Sequence, residues 1–149
     1  MMRQEQDNRL GNLPMLDFTA HEAAALYLAF NLILLFLLAY KTAKARQVTG
    51  ISLGHGDNED MMRAMRIHAN FTEYAPLPLL GLFSLAAMGA PVLLVHILGG
   101  VFTLARYAHG FGFTAPEGQR PMGRFYGTIF TGLVLIVEAL ALLYFVFVG

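Results

Sequence analysis

The chain has 149 residues, of which 56% are apolar and 13% charged, with ten basic and ten acidic side chains in balance. That is about half the charge of an ordinary soluble domain, and a net charge of zero leaves no electrostatic footprint for nucleic acid or an acidic partner. The absence of Cys excludes disulfides, thiolate metal sites and a protein-borne thiol nucleophile, and the length fits one domain.

Residues 1–20 form a polar segment of mixed charge, with Arg3, Glu5, Asp7, Arg9 and Asp17. No basic stretch abuts an apolar run there, so the segment does not read as a signal peptide. Residues 21–149 read as a single domain. The uncharged tract Ala23–Tyr40 fits one membrane span of roughly 20 residues and predicts a first helix near 21–44. The next uncharged tract, Tyr74–Ala105, is too long for one span, and Gly89-Ala90-Pro91 divides it. A proline removes a helical donor and favours a turn, so this tract predicts a hairpin of helices near 59–88 and 91–110. The last tract, Phe125–Gly149, is interrupted only by Glu138 and predicts a helix near 122–147. The fold class is therefore all-α, an integral membrane four-helix bundle. Continuous apolar runs without period-2 alternation argue against a β-barrel. Lys41, Lys44, Arg46, Arg63, Arg66, Arg106, Arg120 and Arg124 all fall on one side of this bundle. Positive charge stays inside, which puts that side in the cytoplasm and both termini outside.

The second helix expects Asp57 or Asn58 as its N-cap, with Glu59 and Asp60 in the first turn facing the helix dipole. Further along, Arg66, Asn70 and Glu73 fall within roughly 60° of one another at 100° per residue. Ionisable groups at that depth need a polar interior, which is either a structural salt-bridge network or a ligand site. Pro76 and Pro78 follow and predict a kink. The third helix ends with Arg106 and His109 on one face. As an antiparallel neighbour, that face can meet the stripe of the second helix. A pocket of arginines, a carboxylate, an amide and an imidazole suits a zwitterionic or dicarboxylate ligand. Arg120 and Arg124, before the fourth helix, either anchor the loop at the membrane surface or hold a thiolate, lowering a thiol pKa of about 8.5. Glu138 lies alone inside the fourth helix: a proton relay, or a carboxyl bonded to a neighbouring helix or to its copy in an oligomer. His96 reads as a satisfied bundle residue. No His, Asp or Glu spacing predicts a metal site.

The string Arg66-x-His68-x-Asn70-x-x-Glu73-Tyr74, followed by Gly99-Gly100 and Ala105-Arg106-x-x-His109, resembles the MAPEG family, the membrane-associated proteins of eicosanoid and glutathione metabolism. Its bacterial branch is especially similar. The resemblance implies a homotrimer with glutathione as co-substrate, bound between adjacent subunits near the cytoplasmic side. It implies contacts to glutathione from Arg66, Asn70, Glu73, Arg106, His109 and Tyr126. Arg124 in Gly123-Arg124-Phe125-Tyr126-Gly127 would stabilise the thiolate, with Arg120 as its rival for that role. The implied activity is that of a glutathione-dependent transferase or peroxidase acting on lipophilic electrophiles that arrive through membrane lipid, in a groove lined by Phe111, Phe125 and Ile129. The implied location is the bacterial plasma membrane. Phe113 stands where catalytic eukaryotic members carry Tyr, which favours a second reading, a non-catalytic lipid-binding or scaffold protein of the same fold. A small transporter organised around Glu138 and Glu73 is the third, and the lack of an inverted repeat weighs against it.

Overall fold

The structure, a computed structural model, describes residues 18–112 and 121–148, and among them every regular element is helical. The helices are α1 (Ala20–Thr49), α2 (Glu59–Tyr74), α3 (Pro76–Ala87), α4 (Val92–Phe111) and α5 (Met122–Phe147).

Local chemistry sets each boundary. α1 begins at a capping box: the Thr19 hydroxyl accepts from the Glu22 amide, and the Glu22 carboxylate accepts from the Thr19 amide at 2.8 Å. It runs five residues past the expected end at 44 and stops at Gly50, whose φ of 70° only glycine adopts freely. Arg46 holds the chain after that turn by donating to the carbonyls of Ile51, Ser52 and Gly54 at 3.1–3.3 Å. Of the two expected caps for α2, Asn58 is the one used: its side chain accepts from the Met61 amide at 2.9 Å. Asp57 instead takes up the left-handed turn before it, with φ of 56°.

The expected helix 59–88 is two helices. Ala75 keeps α-helical angles and joins them, but Pro76 and Pro78 offer no N–H to the turn before. α2 and α3 together rise about 43 Å at 1.5 Å per residue, enough for one membrane crossing. The other three helices, α1, α4 and α5, are each long and apolar enough to cross by themselves. Four rods thus pack as a bundle. Leu34, Leu82, Leu85, Val95 and Phe102 fill its centre, while Ile33, Phe36, Leu104, Ile136 and Leu140 stand on its outside, each more than half exposed. An apolar exterior of this kind is the surface that a bilayer solvates.

Small residues draw the rods together. A Cβ on Gly99 of α4 would overlap the Tyr27 ring of α1, and the Tyr27 hydroxyl lies 2.9 Å from His96 Nδ1. Next to this contact, Asn31 Nδ2 donates to Thr103 Oγ1 at 2.8 Å. α4 and α5 meet backbone to backbone. A Cβ on Gly123 would be 2.7 Å from both the Ala108 carbonyl oxygen and Gly112 Cα, and one on Gly127 would be 2.6 Å from the Ala105 carbonyl oxygen. This crossing brings the start of α5 to the turn of α4 that carries Arg106 and His109.

Candidate functional site

Arg106 enters the bundle from α4 and is only 3% exposed. Its Nη1 donates to Asn70 Oδ1 of α2 at 3.0 Å, and the Tyr74 ring lies beneath the guanidinium at 5.9 Å. An amide oxygen and an aromatic face are the usual company of a buried guanidinium. Arg106 Nε has no hydrogen-bond partner. His109, one turn on, is 4% exposed and lies against Gly127, where a Cβ would come within 2.8 Å of the His109 Cβ.

Replacing Asn70 by Ala removes the oxygen that Arg106 uses and leaves a buried charge short of an acceptor. The expected cost is about 1–3 kcal/mol, read as a lower unfolding midpoint in detergent. Arg106→Met on the same background should restore most of it. Unchanged stability of Asn70→Ala would mean that water already satisfies Arg106.

Arg124 stands one turn before Gly127, on the outer face of α5, and borders two clefts. The first, about 200 Å³, is shared with Glu59, Met62, Arg63 and Arg66 of α2. Three arginines and one carboxylate line it, and Arg63 also pairs with Asp60 at 3.7 Å on the helix surface. The second, about 320 Å³, is lined by Pro121, Phe125, Thr128 and Ile129 and is apolar apart from the Thr128 hydroxyl, which donates to the Arg124 carbonyl at 2.9 Å. Arg124 therefore sits on the border between a cationic cleft and an apolar one.

Measured against the sequence reading, the residues divide into three groups. Asn70, half-buried, meets the buried Arg106 one turn from the buried His109, and the exposed Tyr74, not expected as a site residue, lies against the same guanidinium. Its position was accessible in the sequence, because residues four apart share a helix face. Arg66 joins Arg124 at the cationic cleft rather than the interior group, and Glu73 stands exposed on the same outer surface of α2. Tyr126 points to neither. It is 48% exposed and lines a separate apolar cleft with Leu104, Ala105, Ala108 and Phe130. Of the expected lipophilic groove, Phe125 and Ile129 line the cleft beside Arg124, but Phe111 does not. Lys41 of α1 lies over its ring at 4.5 Å. Arg120 and Phe113 lie outside the described residues, and among those described no group of three or more His, Asp or Glu could hold a metal ion.

Comparison with known proteins places the chain. The family model described as the MAPEG family matches residues 24–144. Two relatives, each called Inner membrane protein YecN, come from Escherichia coli K12 and Escherichia coli O6:H1 (strain CFT073). Each is 30% identical over 90 residues, which cover 60% of this chain and 69% of the relative. No solved structure matches the chain.

Proposed function

The chain belongs to the MAPEG family of membrane proteins, and from that premise we propose that it binds glutathione and delivers its thiolate to a lipophilic electrophile, as a transferase or peroxidase of the bacterial inner membrane. The position of Arg124 carries this reading. It borders an arginine-lined cleft suited to the carboxylates of the tripeptide, and an apolar cleft suited to a substrate dissolved in lipid. The nucleophile belongs to the co-substrate, since the chain has no Cys. What the protein supplies is position and charge: a guanidinium beside the sulfur favours thiolate over thiol, and holding both partners at one border turns a two-body encounter into a local one.

Arg66 and Glu73 are exposed on the single subunit and so are open to a neighbouring copy. The assembly rests on the family: a homotrimer with glutathione between subunits, bound through Arg66 and Glu73 at the interface and through Asn70, Arg106 and His109 beneath it. The basic residues keep this end of the bundle on the cytoplasmic side, with both termini outside.

Equilibrium binding of glutathione to the purified protein in detergent tests the reading. Arg66→Ala and Arg124→Ala should each weaken binding by about tenfold or more, the equivalent of ~1.4 kcal/mol. Undiminished binding in both variants would place the ligand elsewhere. Binding retained without any thiolate would favour the scaffold reading, for which the exposed apolar cleft beside Arg124 is the docking place.

A further inference from the structure

Glu138 has no part in the chemistry proposed above. It lies in the middle of α5, 3% exposed, with its carboxyl pressed onto Gly81 of α3. A Cβ at Gly81 would be 2.5 Å from the carboxyl carbon and 2.6 Å from Oε1, so the missing side chain of Gly81 is the space that the carboxyl occupies. Oε1 is buried and has no hydrogen-bond partner. The nearby Ser84 hydroxyl is committed to the Leu80 carbonyl at 3.0 Å. The carboxyl lines a cleft of about 270 Å³ between α3 and α5 whose other walls, Leu77, Leu135 and Leu142 among them, are apolar. The cleft opens on the bundle's exterior, where Leu77 is 72% exposed.

A carboxyl in such surroundings is costly without a donor or a cation. The uncharged tracts 23–40, 74–105, 125–137 and 139–149 contain no Lys or Arg. The one histidine in those tracts, His96, is held by the Tyr27 hydroxyl at 2.9 Å on the α1 side of α4, so neither this chain nor a second copy of it brings a Lys or Arg to Glu138 at this depth. We propose that the α3–α5 cleft is a second ligand site, in which Glu138 holds the ammonium head of a lipophilic amine that enters from the bilayer. A charge-assisted N–H···O bond gives Oε1 the donor it lacks. The cleft is slightly below the usual size for a whole drug-like ligand, which suits a small head and the first few methylenes while the rest of the tail stays in lipid. Gly81 leaves the room that the carboxyl fills, so a larger side chain there would displace it.

A long-chain amine carrying a diazirine next to its nitrogen, photolysed with the full-length protein in detergent micelles, tests this. Peptide mass spectrometry should find the label on the segments around 77–84 and 135–142. Dodecylamine should reduce that labelling at least tenfold, while dodecanol, with the same tail and no charge, should leave it. Glu138→Gln and Gly81→Leu should both abolish it, and saturating glutathione should not alter it, which separates this site from the one at Arg124. Equal competition by dodecanol, undiminished labelling of Glu138→Gln, or label spread evenly over the lipid-facing surface would each overturn the proposal. The competition arms need no variant and stand even if a substitution fails to fold.

Discussion

Arg124→Ala should lower kcat/KM for the proposed conjugation of glutathione to a lipophilic electrophile by about 10²–10³-fold, the usual cost of losing one preorganised charge-stabilising group. The loss should fall mainly on kcat at saturating glutathione, because in the proposed reaction the guanidinium would act on the attacking sulfur rather than only on ground-state binding. Arg66→Ala, on the other wall of the same cleft, should instead raise KM for glutathione with a smaller change in kcat. The contrast follows from their places. Arg66 faces only the cationic cleft, whereas Arg124 also borders the apolar one. Steady-state kinetics over a range of glutathione concentrations separates the two. An Arg124→Ala enzyme with a normal kcat would remove this residue from the chemistry.

Gly127→Val should be among the most damaging single changes to the bundle. A Cβ at that position falls 2.6 Å from the Ala105 carbonyl oxygen and 2.9 Å from the His109 amide nitrogen. Both are backbone atoms of α4, which cannot step aside as a flexible side chain can. Overpacking a tight contact costs about 1–3 kcal/mol, and a collision between two helix backbones belongs at the upper end of that range. As α5 lifts away from α4, Arg124 moves from Arg66 and His109 loses its cover, so glutathione binding should fall together with the unfolding midpoint. Gly132→Val is the control, since nothing lies within 4 Å of a Cβ there. Full stability of Gly127→Val would show that the two helices are not in backbone contact.

The layout of the bundle was legible in the sequence because its signals are local. Runs without charge mark the spans, Gly89-Ala90-Pro91 marks the hairpin turn, and Asp57-Asn58 marks the start of α2, with the choice between the two left to the structure. The extension of α1 to Thr49 was not legible. It depends on Arg46 reaching three carbonyls beyond the helix, a contact between residues whose pairing the helical period does not encode. The candidate site was legible in its residue types but not in its grouping. Arg66, Asn70 and Glu73 share one arc of α2, yet α4 approaches from the flank holding Asn70 and Tyr74, roughly 40–80° around from Arg66. A sequence period fixes the angles within a helix, whereas the direction of its neighbour comes from glycines such as Gly112, Gly123 and Gly127, which set where the helices can touch. The same holds for Glu138. Its isolation is visible in the charge map, and the cradle that Gly81 makes for it is visible only in three dimensions.

In the proposed reaction a guanidinium of this chain holds glutathione as a thiolate at neutral pH. Ultraviolet difference spectroscopy of the detergent-solubilised protein titrated with glutathione tests it most directly. A saturable thiolate band should arise in the unmodified protein, be absent from Arg124→Ala and be retained in Glu138→Gln. Glutathione that binds without such a band, or a band of full size in Arg124→Ala, would contradict it.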